Sequence, residues 1–275
     1  MQEDAEPVVR GSLPRKGSRE DQERRIYSDG LADSAAQAVG GEAEEPWMNV
    51  LAHFEPFSPG ALAFILESDE LGPLVRGRVL DCAAGSCWVT ARLSNLAGVT
   101  EVVALDLSKK FLLETGTRVI RHLNGDLEKI SFVESSFNDV PFENGTFDAV
   151  FLVAAFHHSL APFATLLELR RVLKPGGALF VIETCTATIK VQKGREKSLQ
   201  MSRESGATEI CYTQGELEYF FRQAGFVDYR IISLDDFTPS RAKRFVRRRL
   251  RQFGIEGLVL GTTNVIVARG TDSAW

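Results

Sequence analysis

The feature that most constrains this chain is a rhythm of short, almost wholly apolar runs separated by helical patterns. The runs are Arg78–Leu80, Glu101–Leu105, Ile130–Val133, Phe147–Ala154, Ala178–Ile182, Phe226–Leu234 and Thr263–Ala268. A strand with no polar alternation must be buried on both faces, which an exposed antiparallel ribbon cannot provide. Helical patterns through Ala61–Glu70, Val89–Leu96, Ser108–Leu123, Leu160–Leu173 and Gln214–Ala224 supply the cover. Lys174-Pro175-Gly176-Gly177 stops the fourth of these, and Thr213 and Gly225 bracket the fifth. Alternation of this kind predicts an α/β fold with a mainly parallel sheet.

Within that rhythm, Gly77 to Trp88 carries the chemistry. A strand ends at Asp81, and Ala83, Ala84, Gly85 and Ser86 make a turn of small residues before a helix. Small side chains leave room for a ligand to approach backbone. The next strand ends at Asp106, twenty-five residues after Asp81, which fits one strand–helix–strand step. A carboxylate there can accept both hydrogen bonds of a ribose diol. A helix-capping role is the alternative reading of either acid. A dinucleotide site needs three glycines around the turn, whereas this turn has Gly85 alone and places Trp88 where helix and strand must pack closely. That disfavours a nicotinamide-dependent oxidoreductase.

These residues make the chain, over roughly 58–268, resemble the class I S-adenosylmethionine (SAM)-dependent methyltransferases. Val79–Cys87 is similar to the first motif of that family, with Ala83 and Cys87 replacing glycines. Val103–Ser108 resembles its second-strand motif, and Ser135–Phe142 its adenine-binding segment. His157-His158-Ser159-Leu160 and Leu169–Gly177 resemble the subfamily containing the ubiquinone and menaquinone C-methyltransferases. The resemblance implies a Rossmann-like, doubly wound, seven-stranded sheet with the last strand antiparallel. It implies SAM as cofactor, held by Asp81, Ala83, Ala84, Gly85, Asp106, Leu107, Ser136, Phe137 and Val153. Alanine for glycine at 83 is expected to be mild if no positive φ is needed there. Ser136 stands where many relatives have Asp.

The implied activity is methyl transfer to a small-molecule acceptor at oxygen, nitrogen or carbon, with lipophilic and phenolic acceptors as candidates. His157, His158 and Glu183 are the candidate catalytic residues; each also has a bland reading, as a pocket wall, helix cap or loop anchor. A non-catalytic SAM-binding or partner-binding module is the main alternative. No metal site is expected. Cys82, Cys87, Cys185 and Cys211 lack zinc or disulfide-framework spacing, consistent with a reduced, cytoplasmic setting.

Outside the motifs, residues 1–45 read as a disordered tail, and 46–275 as the domain, with inserts at 185–212 and 238–260. Order is expected to begin near Trp47, where Phe54 and Phe57 also fall within a candidate acceptor lid. A net charge of −5 argues against specific nucleic-acid binding. The stretch 240–253 is a basic amphipathic helix placing Phe245, Val246, Leu250 and Phe253 on one face. Two readings stay open for it: a packed helix with a solvated cationic face, or peripheral contact with a membrane or anionic ligand.

Overall fold

The structure, a computed structural model, describes residues 9–10, 18, 59–234, 241–253 and 256–270. Its eight-stranded sheet has the spatial order β1-β4-β3-β2-β5-β6-β8-β7. The strands are β1 (Val9–Arg10), β2 (Gly77–Cys82), β3 (Val99–Asp106), β4 (Ile130–Glu134), β5 (Phe147–Val153), β6 (Leu173–Cys185), β7 (Tyr229–Ser233) and β8 (Thr262–Arg269). The first six pair in parallel, and β8 runs antiparallel between β6 and β7. Seven strands match the expected fold. The eighth is Val9–Arg10, which pairs with Val133 and Glu134 from within the stretch read as a tail. Apart from Ser18, the remainder of that stretch, and the Trp47–Phe57 lid reading, lie outside the described residues.

Two-residue periodicity sorts the core into layers. Val79, Val102 and Phe151 face one side, where α1 (Pro59–Glu67), α2 (Trp88–Ser94) and α3 (Thr117–His122) pack through Ile65, Val89 and Ile120. Their sequence neighbours Leu80, Val103 and Val150 face the other side, against Leu166 and Leu169 of α4 (Pro162–Val172) and Leu217 and Phe221 of α6 (Gln214–Gln223). Helix α3 is entered through a π-helical turn, Phe111–Gly116, whose start is capped by Ser108 Oγ accepting from Phe111 N. Helix α6 begins with a full capping box, Thr213 with Glu216.

The insert at 185–212 contains α5 (Val191–Ser205), and the later insert contains α7 (Arg241–Gln252) and α8 (Glu256–Val259). The sixth apolar run yields only the five-residue β7, because Phe226 is drawn into the core against Phe221 before pairing begins. Strand order reverses at β2, which lies between β3 and β5. The crevice beyond the carboxyl ends of strands at such a point is where open α/β sheets bind ligands.

Candidate active site

At the end of β2 the chain turns through three left-handed residues, Ala83 at φ +61°, Gly85 at +50° and Cys87 at +59°. For a residue with a Cβ this conformation costs about 1–2 kcal/mol. The condition for a mild replacement of glycine by alanine at 83, the absence of a positive φ, is therefore not met. Surrounding bonds hold the strained turn: Ala84 N donates to Leu105 O at 2.9 Å, and Cys87 N to Ala84 O at 2.8 Å. The Cys87 side chain is fully buried against Gly116, where an added Cβ would lie 2.7 Å from its Sγ. Its thiol fills the space under the turn.

Asp81 lies beneath the same turn, 1% exposed, with Oδ2 accepting from Thr90 Oγ1 at 2.5 Å. Burial pushes its carboxyl up to about 7, against the opposing hydrogen bonds from Thr90. Asp106 is aimed differently. Its Oδ2 accepts from Gly85 N and its Oδ1 from Ser108 N, both at 2.9 Å, so the carboxylate ties the turn to β3. Burial raises its pKa, opposed by the amides of Ser108, Gly85 and Leu107. Each oxygen has a second lone pair, and Asp106 borders a cavity.

That cavity encloses about 890 Å³ including its open mouth. Its floor is the turn Ala83–Ser86 with Trp88; its sides are Leu105–Leu107, Phe111, Ser135 and Phe137; its far wall is Val153, Ala154, Ala155 and His158. A Cβ on Gly85 would meet only Phe111 Cε1, at 3.8 Å, so the space above this glycine is open. Ser86, which lines the cavity, has a buried Oγ without a hydrogen-bond partner.

The two histidines adopt opposite states. His157 Nδ1 lies 3.0 and 3.1 Å from the Glu183 oxygens, and its backbone N donates to Glu183 Oε2 at 3.2 Å. Its Nε2 lies 3.7 Å from Glu209 Oε2. Burial disfavours a charged ring, but Glu183 and then Glu209 outweigh it and raise His157 to about 9. Burial also works against the Glu183 carboxylate, but the charge and hydrogen bonds of His157 and the Thr184 amide leave its pKa lowered. His158 is pushed down to about 4 by burial and by the neighbouring His157 charge. Its Nδ1 meets Thr208 O at 2.5 Å, which fixes the proton on Nδ1 and the lone pair on Nε2. Side-chain atoms of His157, His158 and Glu209 lie within 4.8 Å of one another, close enough to share a cation.

Residues 80–181 match the family model described as a methyltransferase domain. A demethylmenaquinone methyltransferase of Clavibacter sepedonicus is 37% identical over 150 residues, covering 54% of this chain and 58% of that protein. A ubiquinone/menaquinone biosynthesis C-methyltransferase of Psychromonas ingrahamii is 32% identical over 109 residues, covering 40% and 43%. Over residues 80–181 this chain is thus similar to methyltransferase domains, on a sheet of the same Rossmann-like kind. The matched region spans about half the length of these curated relatives. In fold, the chain resembles the geranyl diphosphate C-methyltransferase from Streptomyces coelicolor A3(2), solved with Mg2+, geranyl diphosphate and S-adenosyl-L-homocysteine (SAH). The TM-score is 0.62 at 16% identity, covering 94% of this chain and 100% of the other. The phosphoethanolamine N-methyltransferase 2 of Haemonchus contortus gives a TM-score of 0.61 at 18% identity, covering 82% and 58%.

Ala83, Ala84, Gly85, Asp106, Leu107, Phe137, Val153 and His158 line one cavity. Asp81, Ser136, His157 and Glu183 do not. Asp81 supports the turn from below, and Ser136 Oγ accepts from Asn138 N at 3.1 Å. His157 and Glu183 form a pair behind His158. Ser135, rather than the expected Ser136, faces the cavity. In sequence Trp88, Phe111 and Ser86 read as packing or turn residues, and Glu209 gives no signal within its polar insert. The residues present fit a nucleoside-bearing cofactor: an acid with spare lone pairs, an open glycine and an unpaired buried hydroxyl surround one space.

Proposed function

We propose that this chain transfers the methyl group of SAM to a small, lipophilic acceptor of phenolic or quinol type. The observation that carries the reading is a single cavity bordered by Asp106 and the small-residue turn on one side and by His158 on the other. SAM, when bound, supplies an electrophilic methyl on a sulfonium, so the protein's task is mainly to hold two reactants at attack distance. Asp106 would take the ribose hydroxyls, Ser86 Oγ a polar group of the amino-acid portion, and Phe137 and Val153 the adenine.

His158 is neutral throughout the physiological range, with its lone pair on Nε2. A ring held near 4 stores a proton poorly but accepts a hydrogen bond, so it orients an acceptor hydroxyl and draws its proton partly away. Behind it, the carboxylates of Glu183 and Glu209 face one imidazolium, His157. This excess of negative charge favours a cationic sulfonium nearby. The apolar walls Leu105, Phe111, Phe137 and Ala155 suit a flat hydrophobic acceptor. The menaquinone-type names of the relatives support a quinol within that class.

Incubation with deuteromethyl-labelled SAM and a demethylated quinol, read by mass spectrometry, should give a product heavier by one labelled methyl group. SAH should raise the melting temperature and NAD should not. Stabilisation by SAH without labelling of any acceptor in cell extract would favour the non-catalytic module. Stabilisation by NAD alone would reinstate the oxidoreductase reading.

A further inference from the structure

Helix α7 is turned inside out. On a soluble domain an amphipathic helix normally buries its apolar stripe, but here the arginine face docks. Arg251 Nε donates to Glu256 Oε2 at 2.7 Å and Arg247 Nη1 to Glu256 Oε1 at 3.2 Å, with Glu256 only 4% exposed. The same guanidinium groups reach backbone carbonyls: Arg247 Nη2 meets Gly261 O at 2.7 Å and Arg251 Nη2 meets Ser233 O at 2.8 Å. Helical spacing puts Phe245, Val246 and Phe253 on the opposite side, and they are 61%, 49% and 71% exposed. Leu258 of α8 is 46% exposed, and Ile189, in the turn packed on α8, is 63% exposed.

Cations frame this apolar face. Arg249 lies with its guanidinium carbon 5.5 Å from the Phe245 ring centroid, and Arg248 is exposed. The helix sequence, Arg-Ala-Lys-Arg-Phe-Val-Arg-Arg-Arg-Leu-Arg-Gln, holds seven cations and no acid, within a chain of net charge −5. Positive charge is thus concentrated on the element that displays aromatic side chains. Two copies of this chain meeting through α7 across a two-fold axis would bring like charges together. A surface with an apolar interior behind an anionic boundary satisfies both features.

We propose that α7, with Phe245 and Phe253 as its anchors, docks on an anionic lipid bilayer. The rings enter the boundary between headgroups and acyl chains while Arg248 and Arg249 meet the phosphates. Helices α7 and α8 lead into Thr262, which pairs with Cys185 at the carboxyl end of β6, the end of the sheet that holds the cavity. Docking there brings a membrane-dissolved acceptor close to the site. That consequence rests on the methyltransferase reading; the docking surface does not.

The full chain, without cofactor, would be sedimented with vesicles of phosphatidylcholine alone or mixed with phosphatidylglycerol. It should pellet only with the anionic vesicles, and high salt should release it. Phe245→Ser with Phe253→Ser should weaken binding by at least about tenfold, and Arg248→Gln with Arg249→Gln should weaken it further. An unchanged urea midpoint for the serine variant shows that its fold is intact. The proposal is overturned by no binding to anionic vesicles, by equal binding to neutral ones, or by unaltered binding of the serine variant. It is overturned equally by a dimer in light scattering that the serine variant dissolves, since a second copy would then be the occupant. Because cofactor is absent, this outcome is independent of the SAH melting shift that tests the methyltransferase reading.

Discussion

Replacing Asp81 with asparagine should make the protein less sensitive to rising pH. In the native chain this carboxyl is 1% exposed, and its pKa is raised from the ordinary 3.8 to about 7. A group whose pKa is raised on folding contributes stability that is complete below the unfolded value and is lost as pH climbs through the folded one. The gap between 3.8 and about 7 is worth about 4 kcal/mol at 1.36 kcal/mol per pH unit. From this group alone, native stability should fall by about that amount between pH 4 and pH 8. The Asp81→Asn side chain has no proton to lose, and its amide oxygen can still accept from Thr90 Oγ1. Urea unfolding of both proteins from pH 5 to pH 8 isolates the effect, because the other titrating groups cancel in the difference. The Asp81→Asn variant should overtake the native chain as pH rises. Parallel stability curves would show that Asp81 is not a desolvated acid, and would refute burial beneath the turn as the cause of its raised pKa.

Asp106→Ala should abolish the melting shift with SAH, and Gly85→Val should do the same by filling the open space above the turn; calorimetric titration reads both. Glu183→Gln should flatten the alkaline limb of the stability curve. The raised His157 pKa contributes stability that is full below 6.5 and lost as pH rises through about 9, and that elevation comes chiefly from Glu183. Gly116→Ala should cost about 1–3 kcal/mol by pressing a methyl group on Cys87 Sγ. In a Cys87→Ala background, the same change should cost much less in a double-mutant cycle. His158→Phe should retain SAH binding while losing turnover, whereas His157→Phe should lower the melting temperature, since it leaves Glu183 buried and unpaired.

Much of the site was legible because its residues sit at fixed points of a strand–turn–helix unit. Ala83, Ala84, Gly85 and Asp106 follow from where β2 and β3 end, and all line the cavity. Asp81 reads as a strand end too, but β2 runs on to Cys82 and Asp81 pairs with Ala104, so its side chain points beneath the turn toward Thr90. Register places both carboxylates on the same face of the sheet, so it is position along the strand, not the side of the sheet, that separates their roles. Ser135 and Ser136 repeat the lesson: only Ser135 faces the cavity. His157 and His158 are adjacent and chemically identical in sequence. Glu183, twenty-six residues away, and Glu209 in a polar insert give one of them a proton and leave the other neutral.

The order of apolar runs and helices determined the sheet, its two covered faces and the crevice where strand order reverses, because burial of every strand residue admits few other arrangements. Tertiary structure alone decided which face of α7 meets the body. Periodicity marks an apolar stripe but not its destination, and here one buried carboxylate, Glu256, draws the arginines inward and leaves the rings facing out. An ion pair withdrawn from water is governed by its partner's position in space, and that position is settled only when distant segments have come together.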